Sequence, residues 1–99
     1  MERSDSQLMC EYNNGDIAAF VVLVNRYTAH LANFAYRLCG NKSDAEEIVQ
    51  ETFVKVWKSS KKYKPEHNFK SWLFAIARNT AIDYMRKKKM AVFSDFENE

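Results

Sequence analysis

Between Ile17 and Leu38, apolar residues fall at positions 17, 20, 21, 24, 27, 31, 34, 35 and 38, the i, i+3, i+4, i+7 rhythm of one helix face. A strand cannot gather that spacing on one side, because its side chains alternate faces every second residue. The chain also has a single Pro and two Gly among 99 residues. With so little material for tight turns, it must cover its length with a few long elements. No segment sustains period-two alternation, so the expected fold is all-α.

The helix boundaries follow from capping chemistry. The long helix begins after Asn13-Asn14-Gly15, with Asp16 as N-cap, and stops at Gly40-Asn41, where Gly can take the left-handed C-cap conformation. Before it, Gln7 to Tyr12 form a short helix preceded by a flexible N-terminus over residues 1–6. The second main helix opens on Ser43-Asp44-Ala45-Glu46, which reads as a capping box. Its apolar side is Ala45, Ile48, Val49, Thr52, Phe53, Val56 and Trp57, and it fades into Ser59-Ser60. Residues 61–68 read as loop, since Pro65 disfavours helical geometry at Lys64 and Asn68 can cap the next helix. That third helix runs from Phe69 to about Lys88, with Phe69, Leu73, Ile76, Ala77, Thr80 and Tyr84 turned inward. Residues 90–99 read as an acidic tail or the start of a linker. The expectation is a compact bundle of three main helices plus the short N-terminal one, in a single domain over residues 7–89.

A hydrophobic content of 46% with 14% aromatics supplies enough apolar surface to offset ordering entropy, so the chain folds. No apolar run approaches the roughly 18 residues of a membrane span, and Met1 to Ser6 contain no signal-peptide core. The chain is therefore expected in the cytoplasm, without membrane insertion, with Cys10 and Cys39 as reduced, buried thiols. These cysteines, with His30 and His67, lack any CxxC or HxxxH spacing, so no metal or cofactor is assigned. No Ser-His-Asp set, Gly-rich phosphate loop or paired acid and base can be assembled, and the second helix lacks the Glu-x-x-His pattern of a di-metal bundle. An enzyme is not expected.

Charge is unevenly distributed. From Lys55 to Lys89 there are eleven Lys or Arg against two acids, whereas residues 1–54 carry four bases and eight acids. Two working surfaces of opposite sign are implied. On the second helix, Glu47, Gln50 and Glu51 sit at i, i+3 and i+4, with Asp44 one turn earlier. This patch suits Arg or Lys of a partner, and equally a solvated helix face beside the macrodipole. On the third helix, Trp72, Asn79, Asp83 and Arg86 share a side, with Arg78 alongside. That face can stack, hydrogen-bond and neutralise phosphate, as single-stranded nucleic acid requires. Lys61, Lys62, Tyr63 and Lys64 in the preceding loop can add phosphate contacts and a pocket wall. For Trp72, core packing against Trp57 or Phe69 is the competing reading.

Two ordered segments carry a resemblance: Asp44-Ala-Glu-Glu-Ile-Val-Gln-Glu-Thr-Phe-Val-Lys-Val-Trp57, and Phe69-Lys-Ser-Trp-Leu-Phe-Ala-Ile-Ala-Arg-Asn-Thr-Ala-Ile-Asp-Tyr-Met-Arg86. They resemble region 2 of bacterial RNA polymerase sigma factors of the extracytoplasmic-function type. Gly15-Asp-Ile-Ala-Ala-Phe20 and Arg26-Tyr27 look like that family's first helix, so the likeness spans residues 7–89. It implies that the second helix docks on the clamp helices of the polymerase beta-prime subunit through Asp44, Glu47, Gln50 and Glu51. It also implies that the loop and third helix recognise the promoter minus-ten element, hold melted DNA and capture a flipped base of the non-template strand. The residues at the matching positions are Lys62, Tyr63, Lys64, Phe69, Ser71, Trp72, Arg78, Asn79, Asp83 and Arg86. A complete factor of this kind continues into a second helical domain that reads the minus-thirty-five element; with the sequence ending at Glu99, the expectation is either an excised domain or a natural protein that lacks half the usual promoter contacts. Val21-Val22-Leu23 is more apolar than the family pattern, which fits either a wider core stripe or an interface for an anti-sigma factor. The alternatives are a protein-interaction module that makes no productive DNA contact, or a single-strand binder without sequence preference.

Overall fold

A computed structural model describes residues 2–97, with side chains through Ser94. Met1, Asn98 and Glu99, and with them the outermost parts of the expected N-terminal segment and acidic tail, lie outside the described residues. Helix α1 spans Asp5–Asn13, α2 Ile17–Cys39, α3 Lys42–Ser59 and α4 Phe69–Glu97, with a 3-10 turn at Ser60–Lys62 after α3. The all-α expectation holds, and no strand occurs among the described residues. None of these helices is long and apolar enough to cross a membrane.

Three boundaries match their local chemistry. The Asp16 carboxylate accepts from the Ala18 N–H, Gly40 closes α2 at φ 70°, and the Asn68 side chain accepts from the Ser71 N–H. Three others correct the sequence reading. Helix α1 begins at Asp5 because Ser4 and Gln7 form a reciprocal capping box, so residues 5 and 6 are part of the packed fold. Helix α3 is capped by Asn41, whose side chain accepts from the Asp44 N–H at 3.0 Å, which leaves Ser43 inside the first turn. The left-handed Gly40 delivers the chain to Asn41 in extended geometry, and Asn caps as well as Ser does. Helix α4 continues past Lys88 to Glu97, since no Gly or Pro interrupts Met90-Ala-Val-Phe93.

The core forms where α2 crosses α1, α3 and α4. Its main cluster includes Leu8, Met9, Leu23, Leu31, Val56 and Leu73, and a smaller one joins Ala35, Ala45, Ile48 and Ala81. The fully buried row on α2 is Ala19, Leu23, Tyr27, Leu31 and Ala35. Ile17, Val21 and Leu38, at the edges of the apolar pattern, are exposed. Trp57, expected inward, is 56% exposed. Both thiols also depart from expectation: Cys10 is exposed and Cys39 half-buried.

A polar clamp joins α1 to α2. Arg26 Nη1 donates to Asp5 Oδ1 at 2.7 Å, and the Tyr27 hydroxyl donates to Asp5 Oδ2. Burial, reinforced by the adjacent Asp5 carboxylate, pushes the Tyr27 hydroxyl up to about 12.

Candidate nucleic-acid interface and acidic docking face

The segment between α3 and α4 is anchored from both ends by α1. Asn13 Nδ2 donates to the Ser60 carbonyl at 3.0 Å, and the Ser6 hydroxyl lies 2.7 Å from the Tyr63 hydroxyl. Tyr63 in turn donates to the His67 carbonyl at 2.8 Å. The His67 N–H closes a turn on the Lys64 carbonyl, with Pro65 at the position its fixed φ favours. These bonds hold the loop in one shape while Lys61, Lys62 and Lys64 remain exposed.

The resemblance assigns DNA contact to Tyr63 and Phe69, whereas helical spacing turns Phe69 inward, and the structure buries both side chains. They are only 6% and 4% exposed, and both belong to the main core cluster. Their rings pack edge to face at 5.6 Å, and each sits beside the Trp72 ring, at 5.2 Å and 5.8 Å. Trp72 is half-buried on this support. It packs against Phe69, as the core reading requires, and still presents part of its surface. The two buried rings therefore brace the indole and expose little surface of their own.

Farther along α4, Ser71, Arg78, Asn79 and Arg86 are exposed. The side chains of Arg78, Asn79 and Arg86 make no hydrogen bond or ion pair with any described residue, so their side-chain donors are free. Asp83 is half-buried and lies 3.7 Å from Lys87. Trp72, Asn79, Asp83 and Arg86 fall on one flank, as their spacing requires. The arrangement offers part of an indole, an amide, a carboxylate and a guanidinium along one flank, with the Arg78 guanidinium beside it.

On α3, Glu47, Gln50 and Glu51 are exposed on one face, with Glu51 3.9 Å from Lys55. Val54 and Trp57, 45% and 56% exposed, continue the same face toward the C-terminus. Sequence reasoning missed this apolar extension, although Val54 lies three and four residues beyond Glu51 and Gln50, a spacing that marks one face. Asp44 does not belong to this free face. Its carboxylate accepts from the Tyr84 hydroxyl at 2.9 Å and from Lys88 Nζ, and thereby ties α3 to α4. The hydrogen bonds from Lys88 and Tyr84 hold its carboxyl below the usual range, and the same bond raises the Tyr84 hydroxyl. Among the described residues, no three His, Cys, Asp or Glu side chains gather as a metal ion would need.

Fold and faces together define a helical binding domain with an acidic, apolar-edged surface and a separate aromatic and basic one. The Sigma-70 region 2 family model matches residues 23–90, and the chain belongs to that family. It is 33% identical to the ECF RNA polymerase sigma factor SigW of Bacillus subtilis (strain 168), an alignment covering 98% of this chain and 52% of SigW. With the ECF sigma factor SigE of Mycolicibacterium smegmatis the identity is 39%, over 67% of this chain and 25% of SigE. The chain thus spans about half the length of SigW and a quarter of SigE. Among solved structures, an engineered region 2 of sigmaE in complex with GTAAAA superposes with a TM-score of 0.83 at 31% identity, covering 90% of this chain and 95% of that one. CnrH in complex with the cytosolic domain of CnrY superposes at 0.75 and 33% identity, covering 82% of this chain and 53% of that one.

Proposed function

We propose that this domain acts in transcription initiation, docking on core RNA polymerase through α3 and binding the melted non-template strand of the promoter minus-ten element through α4 and the preceding loop. The observation that carries the reading is the half-buried Trp72, braced by Tyr63 and Phe69 and followed by the free donors of Asn79 and Arg86. Flipping a base costs a few kcal/mol, and stacking on an aromatic ring returns about 1–3 kcal/mol per base. Hydrogen bonds from Asn79, Arg78 and Arg86, with Asp83 accepting from an exocyclic amine, then supply sequence preference. Ser71, Lys62 and Lys64 hold the phosphates. The neighbour solved with GTAAAA supports this assignment of ligand class.

Glu47, Gln50 and Glu51 pair with basic residues of the beta-prime clamp helices, while Val54 and Trp57 add an apolar edge to the contact. The domain supplies no catalytic group and works in the cytoplasm, where its polymerase resides. A second reading, docking of an anti-sigma factor, is favoured by the CnrH complex with CnrY and by the exposed Ile17 and Val21 on α2. The two readings are compatible if such a partner occupies the domain when polymerase does not. The test is titration of the chain with labelled GTAAAA and with the same bases in scrambled order. Tighter binding to GTAAAA that is lost in Asn79→Ala is expected. Equal affinity for both strands would reduce α4 to a sequence-blind phosphate surface.

A further inference from the structure

The basic run of the sequence starts at Lys55, yet the fold brings a cation from the acidic half beside it. Arg37 on α2 and Lys70 on α4 line one cleft of about 220 Å³, together with His30, Asn33, Phe34 and Phe74. Phe34 and Phe74 meet edge to face at 5.1 Å within its lining. Lys70 Nζ stands 5.9 Å from the centre of the Phe74 ring. No carboxylate lines the cleft, and neither Arg37 nor Lys70 forms an ion pair with a described residue. Two uncompensated cations bordering one space favour an anion within it.

Lys70 also borders a second cleft, of about 350 Å³, whose lining includes Ser6, His67, Asn68 and Phe69. Its one carboxylate, Asp5, is already held by Arg26 and Tyr27. Lys70, in the first turn of α4, thus borders both the cleft at the end of the loop and the one that holds Arg37. Cationic groups beside aromatic rings are what a single strand requires of a groove.

We propose that the α2–α4 cleft is a phosphodiester-binding site that holds the strand beyond the bases read by α4, with Arg37 and Lys70 as its phosphate ligands. The proposal rests on the reading of α4 as a single-strand interface. Its test compares GTAAAA with the same strand carrying a short thymidine extension at either the 5′ or the 3′ end. Wild type and the Arg37→Gln/Lys70→Gln variant are titrated across a range of salt concentrations, with thermal melts to verify folding. One extension should tighten wild-type binding several-fold. The double variant should lose that gain, keep wild-type affinity for unextended GTAAAA, and show a salt slope on the extended strand shallower by about 1.4, from roughly 0.7 per phosphate. If wild type prefers GTAAAA over its scrambled form while neither extension adds affinity, or if the double variant keeps the gain, the cleft assignment is wrong. Absence of any preference for GTAAAA would instead overturn the underlying reading, and the cleft assignment with it.

Discussion

Trp72 combines support and exposure in one side chain: two buried rings fix its plane, and part of its surface stays open. Trp72→Ala should therefore weaken binding to the minus-ten strand by about 1–3 kcal/mol while the helical content stays intact, as measured by oligonucleotide titration and circular dichroism. Tyr63→Phe keeps the ring but removes its donation to His67 and its contact with Ser6. It should cost about 1 kcal/mol of stability in thermal melts. Asp44 illustrates a different kind of residue, one whose sequence position suggests docking while its geometry makes it a tie between helices. Its carboxyl is held low, so its contribution to stability is present above its unfolded value near 3.8 and is lost as pH falls through the folded value. Asp44→Asn should flatten the acid limb of the stability curve, read by thermal melts between about pH 5 and about pH 2. Tyr27 works in the opposite sense. Raised to about 12, its contribution is complete below its unfolded value of 10.0 and disappears as pH rises through the folded value.

Helix α1 reads on the sequence only as a short N-terminal helix, yet it braces the loop at Ser60 and Tyr63 and clamps α2 through Asp5. Ser4→Ala removes its N-cap and should cost about 0.5–2 kcal/mol of stability, measured by thermal or urea unfolding. If α1 shapes the loop as these bonds imply, preference for the minus-ten strand over a scrambled one should fall with it. The features legible in advance at this scale are local. Asp16, Gly40 and Asn68 cap helices through their own side chain or backbone freedom, and neighbouring residues suffice to recognise them. The true start of α1 is equally local, since Ser4 and Gln7 form a capping box, but the charged and polar run around them masks it. The start of α3 is ambiguous on the sequence because Asn41 and Ser43 are both competent caps, and the exit geometry of Gly40 decides between them. Burial of Phe69 is legible from its place on the inward stripe of α4, whereas burial of Tyr63 is not, because it depends on α1 packing beside the loop through Ser6. The exposure of Trp57 likewise depends on which part of α3 the other helices cover.

Across the whole molecule, the separation of charge becomes a separation of faces. The acidic outer side of α3 and the basic side of α4 with its loop lie on different helices, so a polymerase and a DNA strand need not compete for one surface. The Lys55–Thr80 hydrogen bond and the Asp44 tie to Tyr84 and Lys88 join α3 to α4, so the two faces are held in fixed relation. Reversing charge on the outer side, as in Glu47→Lys or Glu51→Lys, should weaken polymerase binding and leave GTAAAA binding by the free domain unchanged. A pull-down titration against core polymerase reads the first effect and fluorescence anisotropy the second. The most direct measurement of the central claim is binding of this chain to purified core polymerase, followed by binding of the complex to a labelled non-template minus-ten strand and its scrambled version. The predicted result is stable polymerase binding with a clear preference for the promoter strand. A chain that does not bind polymerase, or a complex that binds both strands alike, would contradict the account.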